Sequence, residues 1–183
     1  MLNRERDLSL LRTEAAATQS VEQSAEQSQR DIFESHRHRV FSLAFYMTGN
    51  ELEAEEILGQ TFVRAFQRQQ RPGAQEIDAS LIGELHGRFS LKAQLPPATS
   101  CGEESLTGRN VRRSDLEAAL LDLPPNERLL FLLRDVEGMA PTAIAGLLGI
   151  PLPELQRLLL SARLRLCQNL SASLGSAPEE EAA

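Results

Sequence analysis

LPPNERLLFLLRDVEGMAPTAIAGLLGIPLPELQRLLLSARLR, residues Leu123 to Arg165, decides the fold of this chain. Leucines recur through it at helical spacing, yet Gly138, Pro141, Gly149, Pro151 and Pro153 forbid a single long helix. Proline lacks the amide hydrogen that a helix interior needs, and glycine ends helices readily. The stretch therefore divides into short helices. One begins at the Pro124-Pro125 step. Two more meet at a tight turn, Leu148-Gly149-Ile150. A short helix, a turn containing glycine and a longer helix make a helix-turn-helix.

The rest of the chain is read against that unit. At 183 residues there is room for one medium domain or two small ones. With seven Phe, one Tyr and no Trp, the core must be built mainly from Leu and Ala. Good helix formers abound and strand formers are scarce, so the predicted fold class is all-α. No run of 18 apolar residues occurs, and the N-terminus MLNRERDLSLL is too charged for a signal peptide. The expectation is a cytoplasmic protein with no membrane insertion. Cys101 and Cys167 are isolated and read as thiols in a reducing compartment. His36 and His38 are one residue apart on a helix, so they point to different faces and read as solvated side chains. No metal or other cofactor is expected. There is no Gly-rich phosphate loop, no GxSxG and no Cys/His pair at catalytic spacing, so the chain does not read as an enzyme.

Five segments follow from composition. Residues 1–29 are rich in Gln, Glu, Ser and Ala with little to bury, and read as a frayed helix or disordered arm. Residues 30–95 form a helical domain. Its first helix carries Ile32, Phe33, Val40, Phe41, Leu43, Ala44 and Phe45 and stops at Thr48-Gly49-Asn50. Asn50 caps a second helix with Glu51 and Glu53 in its first turn and Ile57, Leu58, Thr61, Phe62, Ala65 and Phe66 as its buried stripe. A third is expected from Glu76 to Gln94, weakened by Gly83 and Gly87. Residues 96–113 read as a flexible linker, 114–170 as the helix-turn-helix domain with Ser114 as a cap, and 171–183 as a disordered acidic tail.

The motifs resemble those of the bacterial RNA polymerase sigma-70 family, and in particular its short extracytoplasmic-function type. Leu123, Pro124, Arg128, Leu133, Arg134, Glu137 and Gly138 resemble the "LP…R…LR-x-x-EG" start of sigma region 4. Ile144, Ala145, Leu148, Gly149, Ile150 and Pro151 look like its "EIA…LGIP" turn, and Ala162-Arg163 like the "AR" of its last helix. Glu53 to Phe66 resembles sigma region 2.2. The resemblance implies two partners, the RNA polymerase core enzyme and promoter DNA, with an anti-sigma factor as a third candidate. In the family the region 2.2 helix docks on a coiled coil of the polymerase's largest subunit. Carried over, the polymerase-binding residues are Glu53, Glu56, Gln60, Thr61 and Arg64, with Ile57, Leu58, Phe62 and Phe66 facing inward. Thr61 stands where the family commonly has an acid.

Departures lie downstream. Family members carry "F-x-x-W-L-x-x-I-A-x-N" in the helices that melt promoters. Here Ser80 stands where the Trp is expected, Glu84 adds negative charge, Arg88 and Lys92 are the cations and Phe89 the aromatic. In the last helix the DNA-binding candidates are Glu154, Gln156, Arg157, Ser161 and Arg163. Gln pairs bidentately with adenine and Arg with guanine, while a Glu accepts from cytosine N4 but repels phosphates. The net charge of −7 and the absence of any strongly basic segment weigh against tight binding to nucleic acid. The run Leu158-Leu159-Leu160 covers most of the helix circumference, so Leu158 or Leu160 is expected at the surface. Two functions fit. One is a sigma factor directing transcription initiation. The other is a sigma-like interaction protein that binds an anti-sigma factor or core polymerase without opening promoters.

Overall fold

A computed structural model describes the backbone of residues 3–91 and 111–175, and the side chains of 23–91 and 111–173. Its described elements are helical: α1 (Asn3–Thr48), α2 (Glu51–Arg68), α3 (Ala74–Arg88), α4 (Arg113–Leu121), α5 (Pro125–Phe131), α6 (Pro141–Leu148) and α7 (Leu152–Gly175). Between α5 and α6 the chain widens into a π-turn, Leu132–Val136. The fold is all-α, in two small helical domains, α1–α3 and α4–α7.

Local chemistry fixes the helix ends. Gly49 takes a left-handed conformation at φ +70° and closes α1 with its amide on the Phe45 carbonyl at 2.7 Å. The Asn50 side chain then accepts from the Leu52 and Glu53 amides at 2.9 and 3.4 Å, capping α2 as its sequence predicts. The α3 start is closed by Glu76, whose carboxylate accepts from the Gly73 amide at 3.0 Å. Pro125 and Pro141 stand in the first turns of α5 and α6, where a missing amide hydrogen costs nothing. Gly149, at φ +66°, makes the turn into α7.

Residues 3–29, expected as a frayed helix or disordered arm, take the helical alternative as the first part of the 46-residue α1. Several expectations need correction. The third helix ends at Arg88, not Gln94, because the Phe89 amide closes back on Leu85 at 2.8 Å. Ser114 does not cap α4. Arg112 holds that position, its amide donating to Asp115 at 3.3 Å. Helix α7 continues past Ser171 to Gly175. Most of the expected linker, most of the acidic tail, Lys92 and Cys101 lie outside the described residues.

One hydrophobic cluster runs through both domains. Val40, Leu43, Met47, Ile57, Phe62, Ile77, Leu81 and Leu85 come from α1–α3, and Leu129, Leu130, Leu133, Ile144, Leu155 and Leu158 from the second domain. Burying leucines contributes about 2 kcal/mol each, so continuity between domains has energetic weight. A second cluster joins α4 to the end of α7 through Ala119, Leu120, Leu123, Leu166 and Leu170, with Tyr46 of α1 packed on it. A polar tie at Arg39 crosses the same boundary. Arg39 of α1 pairs with Asp78 of α3 at 2.8 Å and with Glu137 beyond the π-turn at 2.6 Å. Burial pulls the Arg39 guanidinium down, but Asp78 and Glu137 more than offset it, and it ends above its ordinary value.

Candidate nucleic-acid interface

Two faces matter, the outer face of α2 and the exposed face of α7. On α2, Ile57 and Phe62 are buried and Leu58 and Phe66 are half-buried against the cluster, which turns the opposite side outward. Glu53, Glu56 and Gln60 are exposed there. Glu56 pairs with Arg88 of α3 at 3.0 Å. Arg64 lies across α3 to reach Glu84 at 2.6 Å. Gly83 makes room for it, since a Cβ at that position would come within 2.6 Å of the Arg64 guanidinium. Thr61, a polymerase-contact candidate by resemblance, keeps its place in the buried stripe of the helix. It is fully buried, so it lies beneath the outer face rather than on it.

Two apolar residues outside the expected contact set also stand on this face. Leu52 is 76% exposed and Val63 is 51% exposed. With Glu56 and Gly59 between them they follow the i, i+4, i+7, i+11 spacing of one helix side. That spacing was visible in the sequence. The apolar residues at 57, 58, 62 and 66 made a more obvious stripe.

Helix α3 has turned its apolar residues inward. Ile77, Leu81, Ile82 and Leu85 are buried, as is Ser80, whose hydroxyl donates to the Glu76 carbonyl at 2.8 Å. Asp78 is buried beside Arg39. Burial drives its carboxyl above the ordinary value, with Arg39 pulling the other way. Phe89 packs on the core cluster. No Phe, Tyr or Trp side chain on α3 or at its cap stands free for an unstacked base, and the exposed ring there is that of His86.

In the second domain α6 and α7 meet at 106°, within the range of a helix-turn-helix. The run of three leucines resolves as its periodicity requires. Leu158 and Leu159 are buried, and Leu160 is 59% exposed. Gln156 and Arg157 are exposed on the same side. The Arg157 Nε reaches only its own helix, the Pro153 carbonyl at 3.4 Å. Glu154 is half-exposed in the first turn. Ser161 and Arg163 have intramolecular partners. The Ser161 hydroxyl donates to buried Glu127 at 2.9 Å, and Arg165 pairs with the same carboxylate at 3.2 Å. Arg163 forms a two-pronged pair with Asp135, Nε to Oδ2 at 2.9 Å and Nη2 to Oδ1 at 2.6 Å. That hydrogen bonding raises the Arg163 guanidinium above its ordinary value.

An all-helical chain whose last two helices form a helix-turn-helix with Gln and Arg exposed early in the second is of the helix-turn-helix DNA-binding class. Residues 113–166 match the family described as "Sigma-70, region 4". The chain is also 32% identical over 147 residues to the "ECF RNA polymerase sigma factor SigE" of Mycolicibacterium smegmatis. That match takes in 72% of this chain and 57% of the relative, so the chain spans little more than half that protein's length. Among solved structures it resembles the sigma factor RpoE from Bartonella quintana, solved in complex with the anti-sigma factor NepR. The TM-score is 0.56 at 17% identity, covering 80% of this chain and 96% of that one. At that identity the likeness concerns the fold alone. This chain belongs to the sigma-70 family, in its extracytoplasmic-function branch.

Among the described residues no single helix is long and apolar enough to cross a membrane. Cys167 is half-buried on α7, His36 is half-buried and His38 exposed on α1.

Proposed function

We propose that this chain directs transcription initiation, binding RNA polymerase core enzyme through the outer face of α2 and promoter DNA through α7. The observation that carries the reading is the 106° helix-turn-helix with Gln156, Arg157 and Leu160 exposed on one side of its second helix. Gln and Arg are the side chains that read adenine and guanine edges bidentately in the major groove. On α2, acids and Gln60 surrounded by Leu52 and Val63 suit a basic partner, with charge steering the approach and apolar side chains holding the contact. Of the DNA-facing candidates, Gln156 and Arg157 are free to reach bases. Arg163 reaches a phosphate only on releasing Asp135, and Ser161 only on releasing Glu127.

A second reading is an interaction protein that binds an anti-sigma factor or the core enzyme without opening promoters. What favours it is α3, where Ser80 is buried and Phe89 packs inward, leaving no exposed Phe, Tyr or Trp there to hold a flipped base. Transcription in vitro with core polymerase and a library of promoter fragments separates the two. A specific, factor-dependent transcript supports the first. Binding to core polymerase with no transcript from any fragment supports the second and sinks the first.

A further inference from the structure

We propose that Asp135 holds the place of a DNA phosphate on Arg163 and thereby sets how strongly the helix-turn-helix grips a duplex. This rests on the reading of α7 as the helix that enters the groove. The Arg163 fork engages both carboxylate oxygens, at 2.6 and 2.9 Å, and an arginine takes two phosphate oxygens in the same manner. The pair lies within reach of an incoming duplex. The Arg163 side chain is 52% exposed and that of Asp135 is 24% exposed.

The pair has little structural work. Asp135 lies in the π-turn Leu132–Val136, and that turn is tied down by other bonds. The Glu137 amide donates to the Leu132 carbonyl at 2.9 Å and the Met139 amide to the Leu133 carbonyl at 3.0 Å. Arg134 donates to the Met139 carbonyl at 2.9 Å. A solvent-facing ion pair adds little to stability in such a setting.

Its electrostatic effect is larger. Arg157, Arg163 and Arg165 are the arginines of α7, and Glu154, Asp135 and Glu127 stand on the same helix or paired to it. The formal charges cancel. Arg165 is held by the buried Glu127 and stays with the core. Beside Arg157, which is exposed and carries no acid partner among the described residues, Arg163 is the further cation that a duplex can recruit, at the cost of displacing a carboxylate that then repels the phosphate. Removing that carboxylate without changing its shape exposes one positive charge.

The experiment uses the full chain, a labelled duplex of random sequence, and fluorescence anisotropy over a range of salt. Random sequence suffices because phosphate contacts do not depend on the bases. Asp135→Asn is expected to bind several-fold more tightly at low salt, with the log–log salt slope steeper by about one counterion. Adding Arg163→Gln to that variant is expected to abolish the gain. Arg163→Gln in the native chain leaves Asp135 bare, and it is expected to bind several-fold more weakly at low salt, with a salt slope shallower by about one counterion. Equal affinity and slope for Asp135→Asn and wild type overturn the proposal while leaving α7 as a DNA-binding helix. A gain that survives the addition of Arg163→Gln to Asp135→Asn overturns it too, because the added affinity would then not come from the guanidinium. No binding by wild type and Asp135→Asn alike removes the DNA reading together with this one.

Discussion

Arg128 of α5 donates from Nη1 to the carbonyl of Met47, 81 positions earlier at the end of α1, at 2.5 Å. Its Nη2 donates to the Leu121 carbonyl and, at 3.0 Å, to the Leu123 carbonyl. One buried guanidinium thus closes the end of α1 and the turn between α4 and α5, joining the two domains. Burial pulls it below its ordinary value, but an arginine so placed keeps its charge. Arg128→Ala leaves three carbonyls without this donor and opens a gap, so it is expected to cost about 3 kcal/mol. Arg128→Lys rescues little, since an ammonium cannot span three acceptors fixed to the fork. Urea unfolding of the full chain measures both. A midpoint for Arg128→Ala equal to wild type would deny Arg128 this joining role.

Gly49 offers a second check on the same seam. Its φ of +70° disfavours any side chain, and a Cβ there would lie 2.8 Å from Leu121 Cδ1. Gly49→Ala is expected to destabilise the chain by about 1–2 kcal/mol. Leu121→Ala on top of it should return only the part due to crowding. Full recovery in the double variant would mean that the backbone strain is negligible.

These residues show what the sequence could and could not disclose. Helix positions were legible because proline, glycine and Asn50 act locally, within a turn of where they stand. The family was legible because Arg128, Glu137 and Gly138 sit at recognisable spacings. The roles of those residues were not legible. Arg128 and Glu137 reach partners some 80 to 100 positions away, Met47 and Arg39, and no local pattern encodes such a pairing. Glu127 likewise gathers Ser161 and Arg165 from α7, which is why a serine expected to face DNA is turned toward the core. Thr61 was legible as part of the buried stripe of α2, and only the family resemblance carried it to the contact face. Its neighbour Gln60 is exposed, and one step of 100° carries a residue from the rim of the outer face into the core.

On α2, Gln60→Ala combined with Glu56→Arg should weaken binding to core polymerase without unfolding the chain, since both side chains are exposed. Glu56→Arg also breaks its pair with Arg88, a surface contact contributing less than about 1 kcal/mol. Leu52→Glu should weaken binding further by placing charge on the apolar part of the face. A pull-down with core polymerase reads all three substitutions. Undiminished capture, with circular dichroism unchanged, would remove α2 from that interface.

Asp78 gives a pH dependence of known sign. Its carboxyl is held above the ordinary aspartate value of 3.8, chiefly by burial, so the folded chain keeps the proton to higher pH than the unfolded chain does. Its contribution to stability therefore falls as pH rises through the window just above 3.8, where the fold holds more protons than the unfolded state. Asp78→Asn removes that loss. Relative to wild type, the variant is expected to gain stability as pH rises from about 4 into the window above it, as followed by thermal melts. A relative loss over the same range would show that Arg39 outweighs burial at this carboxyl.

Arg157 tests the groove reading most directly. It is exposed, bonded only weakly to its own helix, and one residue from Gln156 on the side where Leu160 also emerges. If it pairs bidentately with a guanine, Arg157→Ala relaxes preference at one base pair by about 1–3 kcal/mol and leaves the others as they were. If it touches a phosphate, the loss is spread over all sequences and the salt slope falls by about one counterion. Selection of duplexes from a random pool by holoenzyme, wild type against Arg157→Ala, distinguishes these outcomes, because a base contact changes the enriched sequence at one position and a phosphate contact changes none. The exposed position early in α7 predicts the first result. Identical enriched sequences and identical salt slopes for the two proteins would mean that this side of α7 does not enter the groove.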